Sequence, residues 1–271
     1  MEQKPSMQNE HNIDLTDAAS HNRQAWNSYR RQRDEGLVVH RGSLAEEIQE
    51  GKLFLEERWT ELLGNVQGKQ LLDLGCGDGG ESCCWARLGA RIVGVDNSPV
   101  QLEAAKKTAK ELGVECNFLL ADILQLPENL MNGEFDFVFS DAVAAWIGDL
   151  KTWFGNVYKT LKPEGRFLFV GDHPVTKFAS EVIMGETSET YRTHYFNEGV
   201  FIRREADERS TGNPAGDNFT TYQWCHTLTS LLGAMKYAGF SSIEVYETDT
   251  GKLECKQLAG MPTGILILAI K

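Results

Sequence analysis

The sequence predicts an α/β fold with a doubly wound sheet of about seven strands, mostly parallel, and helices on both of its faces. Between residues 70 and 171, short apolar runs typical of buried strands alternate with amphipathic segments typical of helices. Such alternation indicates βαβ units and a parallel sheet. Acidic or polar residues follow most of the apolar runs, at the edge where open sheets of this kind bind their ligands.

The individual elements follow from the spacing of apolar residues and from helix end signals. We expect strands at residues 70–74, 91–96, 116–121, 135–140, 166–171, 241–247 and 264–270. Helices are expected at residues 18–33, 53–63, 80–89, 98–113, 150–161 and 229–237. In the helix after the second strand, Ser98 is the predicted N-cap, Gln101 completes a capping box, and Gly113 ends the helix.

Composition and charge restrict the classes of function. The net charge is −12, and no run of lysine or arginine marks a surface for nucleic acid or an anionic membrane. The N-terminal stretch is polar, and the apolar run at residues 264–270 is far too short to span a bilayer. The six cysteines form no C-x-x-C pair, which is typical of reduced thiols. We therefore expect a cytoplasmic protein whose partner is a small molecule, and its oligomeric state stays open.

The first predicted strand ends in a glycine-rich loop at residues 75–80, Gly-Cys-Gly-Asp-Gly-Gly. Glycines let a backbone turn sharply and approach a ligand closely, so the loop predicts a nucleotide site. Its spacing satisfies both G-x-G-x-x-G and G-x-G-x-G, so the glycines alone leave the nucleotide open. Asp73, Asp78 and Glu81 lie beside the start of the following helix, where they would oppose a diphosphate and suit a cationic ligand. S-adenosylmethionine carries an ammonium, a sulfonium and no phosphate.

Four motifs in order resemble those of class I S-adenosylmethionine-dependent methyltransferases. These are D-x-G-x-G-x-G at residues 73–79, the acidic strand end Asp96, "ADILQLP" at 121–127 and "LKPEG" at 161–165. The resemblance covers residues 70–170 and is nearest to the methyltransferase type 11 group, which includes small-molecule and quinone-biosynthesis enzymes. It implies a Rossmann-like sheet with a C-terminal antiparallel strand. It also implies S-adenosylmethionine as cofactor, S-adenosylhomocysteine as product, and methyl transfer to an oxygen or nitrogen atom of a small metabolite, aromatic or natural-product-like.

The sequence also predicts how the chain divides into segments. Residues 1–18 are expected to be a flexible tail, and residues 19–64 a helical arm that covers the cofactor. Residues 65–271 are expected to be the methyltransferase domain, with an insertion at about 172–226 that caps the substrate.

The resemblance implies a cofactor site at the ends of the first four strands. Asp96 would accept hydrogen bonds from both ribose hydroxyls, and Asp122 would accept one from the adenine amino group. Trp26 and Tyr29 would cover the cofactor from the arm. The remaining cofactor-binding residues are expected to be Asp73, Gly75, Cys76, Gly77, Asn97, Gln101, Ile123 and Ser140.

Candidate catalytic residues lie at the later strand ends. His173 and His226 are the predicted general bases, because histidine titrates near neutrality and each adjoins a predicted strand end. Asp141 ends the fourth strand, where cofactor and substrate would meet. The predicted substrate contacts are Tyr191, His194, Tyr195 and Trp224, with Phe196 beside them. "SDAVAAW" at residues 140–146 lacks the Pro-Pro-aromatic motif of methyltransferases that act on nucleobases or glutamine, which argues against those substrates.

Three alternatives stay open. Asp141 and the Asp172–His173 pair stand where catechol-type methyltransferases hold magnesium, but magnesium prefers oxygen ligands, so no metal is expected. The G-x-G-x-x-G match also allows a nicotinamide-dependent oxidoreductase. A non-catalytic cofactor-binding protein on the same fold is the third alternative.

Overall fold

The computed structural model describes residues 15–35, 43–52, 55–176, 195–196, 198–204, 220–249 and 261–271. The strands are β1 (Gln70–Leu74), β2 (Arg91–Asp96), β3 (Cys116–Leu120), β4 (Phe135–Asp141), β5 (Leu161–Asp172), β6 (Gly199–Arg204), β7 (Thr220–Cys225), β8 (Ser242–Thr248) and β9 (Gly264–Ile270). The helices are α1 (Leu15–Asp34), α2 (Leu44–Gln49), α3 (Glu57–Leu63), α4 (Gly80–Arg87), α5 (Pro99–Leu112), α6 (Leu150–Thr160) and α7 (Leu228–Ala238). Short 3-10 helices span Glu128–Leu130 and Ala144–Trp146.

Seven strands form the central sheet in the order β3-β2-β1-β4-β5-β9-β8. β1 to β5 are parallel to one another. β9 pairs antiparallel with both β5 and β8, so among the described strands of this sheet it alone runs opposite to the others. The chain proceeds outward from β1 to β3 and then returns to β4 on the other side of β1. A crevice therefore opens at the carboxyl ends of β1 and β4, which is where such sheets bind ligands. The predicted fold class is confirmed.

Aromatic side chains fill the core on both faces of the sheet. On one face Phe139 of β4 packs against Trp59 of α3 and Trp85 of α4, with ring centroids 5.4 and 5.6 Å apart. On the other face Trp153 stacks on Phe154 of the same helix α6 at 4.7 Å, and both are fully buried. Alternate residues of each strand thus point into separate apolar layers, which hold the strand ends at fixed positions.

Helix α5 has the predicted ends but not the complete capping box. The Ser98 hydroxyl accepts the Gln101 N–H, and Gly113 closes the helix with a left-handed φ of +67°. The Gln101 side chain does not return to the Ser98 N–H, because that group donates to Asp96 Oδ1 at 2.8 Å instead. The amide of Gln101 is therefore available to the crevice.

Two elements outside the sheet differ from prediction. Helix α2 has only six residues, too few for a periodic pattern, although Ser43 and Glu46 form a complete capping box. β6 and β7 pair as an antiparallel ribbon within the predicted cap, and neither is among the strands expected from apolar spacing. The predicted helix at 53–63 begins at Glu57, and residues 53 and 54 lie outside the described residues, as does most of the predicted tail.

Candidate functional site

A cavity of about 530 Å³ occupies the crevice at the carboxyl ends of the parallel strands. Its walls divide into two halves on either side of the β1–β4 junction. The β1–β3 half comprises Gly75, Gly77, Asp96, Asn97, Gln101, Asp122 and Ile123. The β4–β5 half comprises Asp141, Trp146 and Asp172, closed by Trp26 of α1 and Trp224 of β7.

The glycine loop gives the β1–β3 half its shape. Gly75 has a φ of +78°, and a Cβ there would lie 2.4 Å from Val143 Cγ2, so a larger residue would collide with the opposite wall. Gly77 has a φ of +51° with open space beside it, where a ligand can approach the backbone. The N–H groups of Gly75 and Cys76 donate to the Val95 carbonyl, which ties the loop to β2.

Asp96 lies at the tip of β2 and is held by two backbone donors. Its Oδ2 accepts the Gly77 N–H at 2.9 Å, and its Oδ1 accepts the Ser98 N–H at 2.8 Å. Burial raises the pKa of Asp96 above its ordinary value, while these hydrogen bonds oppose the rise. Each oxygen can accept a further hydrogen bond, so the carboxylate can hold two neighbouring hydroxyls.

The side chain of Gln101 indicates that a ligand completes the cavity. Its side chain is only 6% exposed, it lines the cavity, and its Oε1 has no hydrogen-bond partner among the described residues. A buried amide oxygen without a donor is costly, so this atom indicates a ligand donor that completes the site. Together with the open space at Gly77 and the carboxylate of Asp96, it fits an adenosine that offers hydroxyl and amino donors.

Two acids with raised pKa values lie beneath the glycine loop. Asp73 is 2% exposed and accepts the Ser82 hydroxyl at 2.5 Å. Burial, with the charges of Asp141 and Asp96, raises the pKa of Asp73 to about 7. Burial, with the charges of Asp141 and Asp73, raises the pKa of Glu81 to about 8. A positive charge in the cavity would favour their ionised forms.

Helix α1 is attached to both sides of the cavity. Arg30 and Arg33 each contact Asp78 Oδ2 of the glycine loop, at 2.8 and 3.0 Å. At the other end of α1 the Asn22 amide donates to the Tyr222 carbonyl of β7 at 2.7 Å and accepts the Tyr222 N–H at 2.8 Å. Asn22 and Trp26 of α1 line the cavity, and the role of the arm as a cover for the cofactor stays a prediction.

Indole rings form much of the β4–β5 half. Trp26 packs edge-on against Trp146, with ring centroids 5.1 Å apart. The Trp224 ring lies against the backbone of Gly148, where a Cβ would be 2.7 Å from it. His226 fixes the same segment, because its Nε2 lies 2.7 Å from the carbonyl oxygen of Ile147.

Ten of the predicted site residues line the cavity. They are Trp26, Gly75, Gly77, Asp96, Asn97, Gln101, Asp122, Ile123, Asp141 and Trp224.

Four other predicted cofactor residues are not among the residues that line the cavity. Ser140 is fully buried and donates to the Leu74 carbonyl, and Asp73 is bonded to Ser82. Burial raises the pKa of the Cys76 thiol, and Tyr29 packs edge-on against Trp26 at 5.7 Å. Their assignment as cofactor-binding residues stays a prediction.

The two predicted histidine bases do not line the larger cavity. They border a smaller cavity of about 60 Å³ that shares Asp172 and Trp224 with it. His173 Nδ1 accepts the Val175 N–H at 3.2 Å, and its Nε2 faces Glu247 Oε1 at 3.0 Å, outside hydrogen-bond alignment. His226 Nε2 faces a carbonyl oxygen and so carries its proton. The assignment of these histidines as bases stays a prediction, and in this structure neither of them borders the larger cavity.

The predicted substrate contacts are only partly described. Tyr191 and His194 lie outside the described residues. The Tyr195 hydroxyl accepts the Leu228 N–H at the start of α7, away from the cavity, and Phe196 is 75% exposed. The sequence reasoning missed Asn22, Trp146 and Gln223 as wall residues.

The sheet order, the glycine loop and the acidic strand ends define a class I methyltransferase fold. Residues 65–199 match the family model of a methyltransferase domain, and this part of the chain belongs to that family. The malonyl-[acyl-carrier protein] O-methyltransferase of Serratia marcescens is 35% identical over 113 residues, which are 42% of each chain. An uncharacterized protein of Haemophilus influenzae is 27% identical over 180 residues, 62% of this chain and 69% of that one. The chain thus spans about two fifths of the first of these relatives.

Solved structures agree with the fold. A Mesorhizobium loti S-adenosylmethionine-dependent methyltransferase is 24% identical, with a TM-score of 0.59 over 79% of this chain and 96% of that one. The Synechocystis magnesium protoporphyrin IX methyltransferase with bound S-adenosylhomocysteine is 16% identical, with a TM-score of 0.60 over 94% and 99%. The predicted methyltransferase class is confirmed, and the solved structures agree with its fold.

Membrane spans and metal clusters are both missing from the part of the chain that the structure describes. No helix there has the length and apolar character needed to cross a membrane. No group of three or more histidine, cysteine, aspartate or glutamate side chains among the same residues could hold a metal ion.

Proposed function

We propose that this chain transfers a methyl group from S-adenosylmethionine to an oxygen or nitrogen atom of a small metabolite. The observation that carries the proposal is the composition of one cavity. Its β1–β3 half presents exposed backbone, carboxylates and the Gln101 amide oxygen, which has no hydrogen-bond partner among the described residues. Its β4–β5 half presents indole rings and carboxylates. Both halves meet at the sheet's switch point, so two different molecules can lie next to each other there.

The β1–β3 half would hold the cofactor. Asp96 would accept the two ribose hydroxyls, and the open backbone at Gly77 would let the methionine portion approach. Asp122, Gln101 and Asn97 would surround the adenine, with the Gln101 oxygen accepting from its amino group. The bound cofactor would supply a methyl group attached to a positively charged sulfur.

The chain's own contribution to the chemistry would be positioning, exclusion of water and removal of a proton. α1 and the β6–β7 ribbon cover the cavity and would keep the reactants aligned. Asp141 is the remaining predicted catalytic residue on the wall, and its carboxylate would accept the proton of an oxygen or nitrogen nucleophile.

The nicotinamide alternative has less support. Four aspartates and no lysine, arginine or histidine occur among the described wall residues. A dinucleotide diphosphate would face these carboxylates, and none of the described wall residues would supply a compensating cation. The non-catalytic alternative predicts the same cofactor binding without turnover.

Calorimetry with S-adenosylhomocysteine, with NADH as the second ligand, tests the cofactor assignment. We expect saturable binding of S-adenosylhomocysteine and none of NADH. The reverse result would favour the oxidoreductase, and the absence of binding of both would reject the proposal.

Transfer of label from methyl-labelled S-adenosylmethionine into a mixture of small metabolites tests catalysis. Alkali releases the label from a methyl ester and leaves an N-methyl group or an ether intact, so the product chemistry narrows the acceptor atom. Asp141→Asn should abolish most labelling, and Glu115→Gln, at an exposed acid outside the cavity wall, should not. Binding without labelling would support the non-catalytic alternative.

A further inference from the structure

The β4–β5 half of the cavity combines negative charge with aromatic rings. Asp141 pairs with Val170 in the β4–β5 register, and Asp172 lies two residues beyond Val170. Because side chains two residues apart on a strand point to the same face, both carboxylates are on one face of neighbouring strand ends. Both line the cavity together with Trp26, Trp146 and Trp224.

We infer that the acceptor carries an ammonium group, which this half of the cavity binds between the two carboxylates and the indoles. The inference rests on the proposed function, because it names the substrate class of the same site. A protonated amine satisfies both kinds of wall at once: it pairs with carboxylates and is attracted to the faces of indole rings. Aliphatic amines are protonated at neutral pH.

The charges on the described walls disfavour the opposite class. Asp96 and Asp122 occupy the β1–β3 half, so the described wall residues include four carboxylates and no basic side chain. A carboxylate or phosphate on the acceptor would meet like charges on these walls, which disfavours its binding.

The aromatic walls also favour an acceptor with an apolar body. Trp224 lies against Gly148, and Trp26 packs edge-on against Trp146, so indole rings from three elements line this half. The apolar body of an amine could contact these indoles while its ammonium group reaches the strand ends.

The experiment uses the full chain loaded with S-adenosylhomocysteine. Small amines on phenyl, indole and alkyl frames are each matched with the carboxylate and the alcohol of the same frame, and affinities are measured by calorimetry or ligand-observed NMR. We expect the amine of each set to bind at least about tenfold more tightly than its carboxylate partner.

Two variants assign the preference to the named residues. Asp141→Asn and Asp172→Asn should each lower amine affinity roughly tenfold and leave alcohol affinity unchanged. Glu115→Gln, an exposed acid outside the cavity, is the matched control and should change neither.

The outcomes separate the inference from the proposed function. Two results would overturn the inference alone while S-adenosylhomocysteine still binds. In the first, carboxylates bind as tightly as the matching amines. In the second, the preference for amines survives both variants. Failure of every amine in the set to bind the loaded protein would overturn it as well. Loss of S-adenosylhomocysteine binding with the amine preference intact in the unloaded protein overturns the proposed function alone.

Discussion

The two halves of the cavity are built in different ways. The β1–β3 half consists of backbone turns and short side chains that immediately follow strands, such as Asp96, which is held by the N–H groups of Gly77 and Ser98. The β4–β5 half consists of bulky rings brought together from α1, the 3-10 helix after β4, and β7. Local sequence determines the first half, whereas tertiary packing determines the second.

This difference has a functional consequence. A cofactor common to many enzymes needs the same contacts each time, and strand ends hold such contacts rigidly. An acceptor differs from enzyme to enzyme, and separate elements around a fixed sheet can be changed independently. Variants in the two halves should therefore affect different ligands.

The largest expected effect is in the β1–β3 half. Asp96→Ala removes the acceptor for the ribose hydroxyls and also leaves the Gly77 and Ser98 N–H groups without their partner. We expect S-adenosylhomocysteine affinity to fall by about 2–4 kcal/mol, measured by calorimetry. Asp172→Asn, in the other half, should change that affinity by less than about twofold. Equal losses in both variants would show that the halves do not act separately.

The second effect isolates the packing of the β4–β5 half. In Gly148→Ala the new methyl group would lie 2.7 Å from the Trp224 ring, which must then shift. We expect a loss of about 1–3 kcal/mol in the free energy of unfolding, measured with urea. Affinity for S-adenosylhomocysteine should change little.

Gly155→Ala is the matched control for that variant. Gly155 is in helix α6, and a Cβ there would meet nothing within 4 Å. Its substitution should be neutral or stabilising by up to about 1 kcal/mol, because alanine favours helix more than glycine does. Equal destabilisation by both variants would contradict the role assigned to the Gly148–Trp224 contact.

The same difference between the two halves explains which parts of the structure could be predicted from the sequence alone. The strands, the ends of α5 and the cavity position of Asp96 follow from periodicity, caps and the rule that ligands bind at strand ends. Each depends on residues close in sequence. The fold and most of the β1–β3 half were predictable for that reason.

The β4–β5 half was harder to predict, because the direction of each side chain matters there more than its position in the sequence. His173 and His226 do adjoin strand ends, as predicted, but their rings face Glu247 and the Ile147 carbonyl. Adjacency to a strand end does not reveal which way a side chain points. The role of Trp146 depends on α1 lying over it, which no local pattern indicates.

The third effect concerns the acids beneath the glycine loop. The pKa values of Asp73 and Glu81 are raised to about 7 and 8, above the 3.8 and 4.5 of free carboxyls. The folded protein without cofactor therefore retains protons that the unfolded chain loses. Their contribution to stability is complete below pH 4 and is lost as the pH rises through about 7–8.

The positive charge of bound S-adenosylmethionine should favour the ionised forms of Asp73 and Glu81 instead. S-adenosylmethionine affinity is expected to rise about tenfold between pH 6 and 7.5, with release of protons. Calorimetry in phosphate and in Tris measures that release. S-adenosylhomocysteine, which lacks the sulfonium charge, should show a smaller rise, and Glu81→Gln should flatten the profile. Proton uptake on binding would be incompatible with this account.

The smallest expected effect tests the connection between the halves. Asp78→Asn removes the charge that Arg30 and Arg33 share, although Arg30 keeps its contact with Asp34. Because the Asn22–Tyr222 contact remains, α1 should stay attached to β7 and loosen only at the glycine loop. We expect faster hydrogen exchange in residues 15–35 and a roughly threefold to tenfold loss of S-adenosylhomocysteine affinity.

An exposed ion pair supplies the control for that variant. Lys106 and Glu103 are in contact at 2.7 Å, but both side chains are more than half exposed, so Glu103→Gln should change neither readout. If Asp78→Asn weakens binding without faster exchange in α1, Asp78 acts on the ligand directly. If exchange increases while affinity is unchanged, α1 contributes nothing to the β1–β3 half. If exchange in α1 increases and affinity falls together, α1 physically links the two halves, since its ends are fixed to different elements.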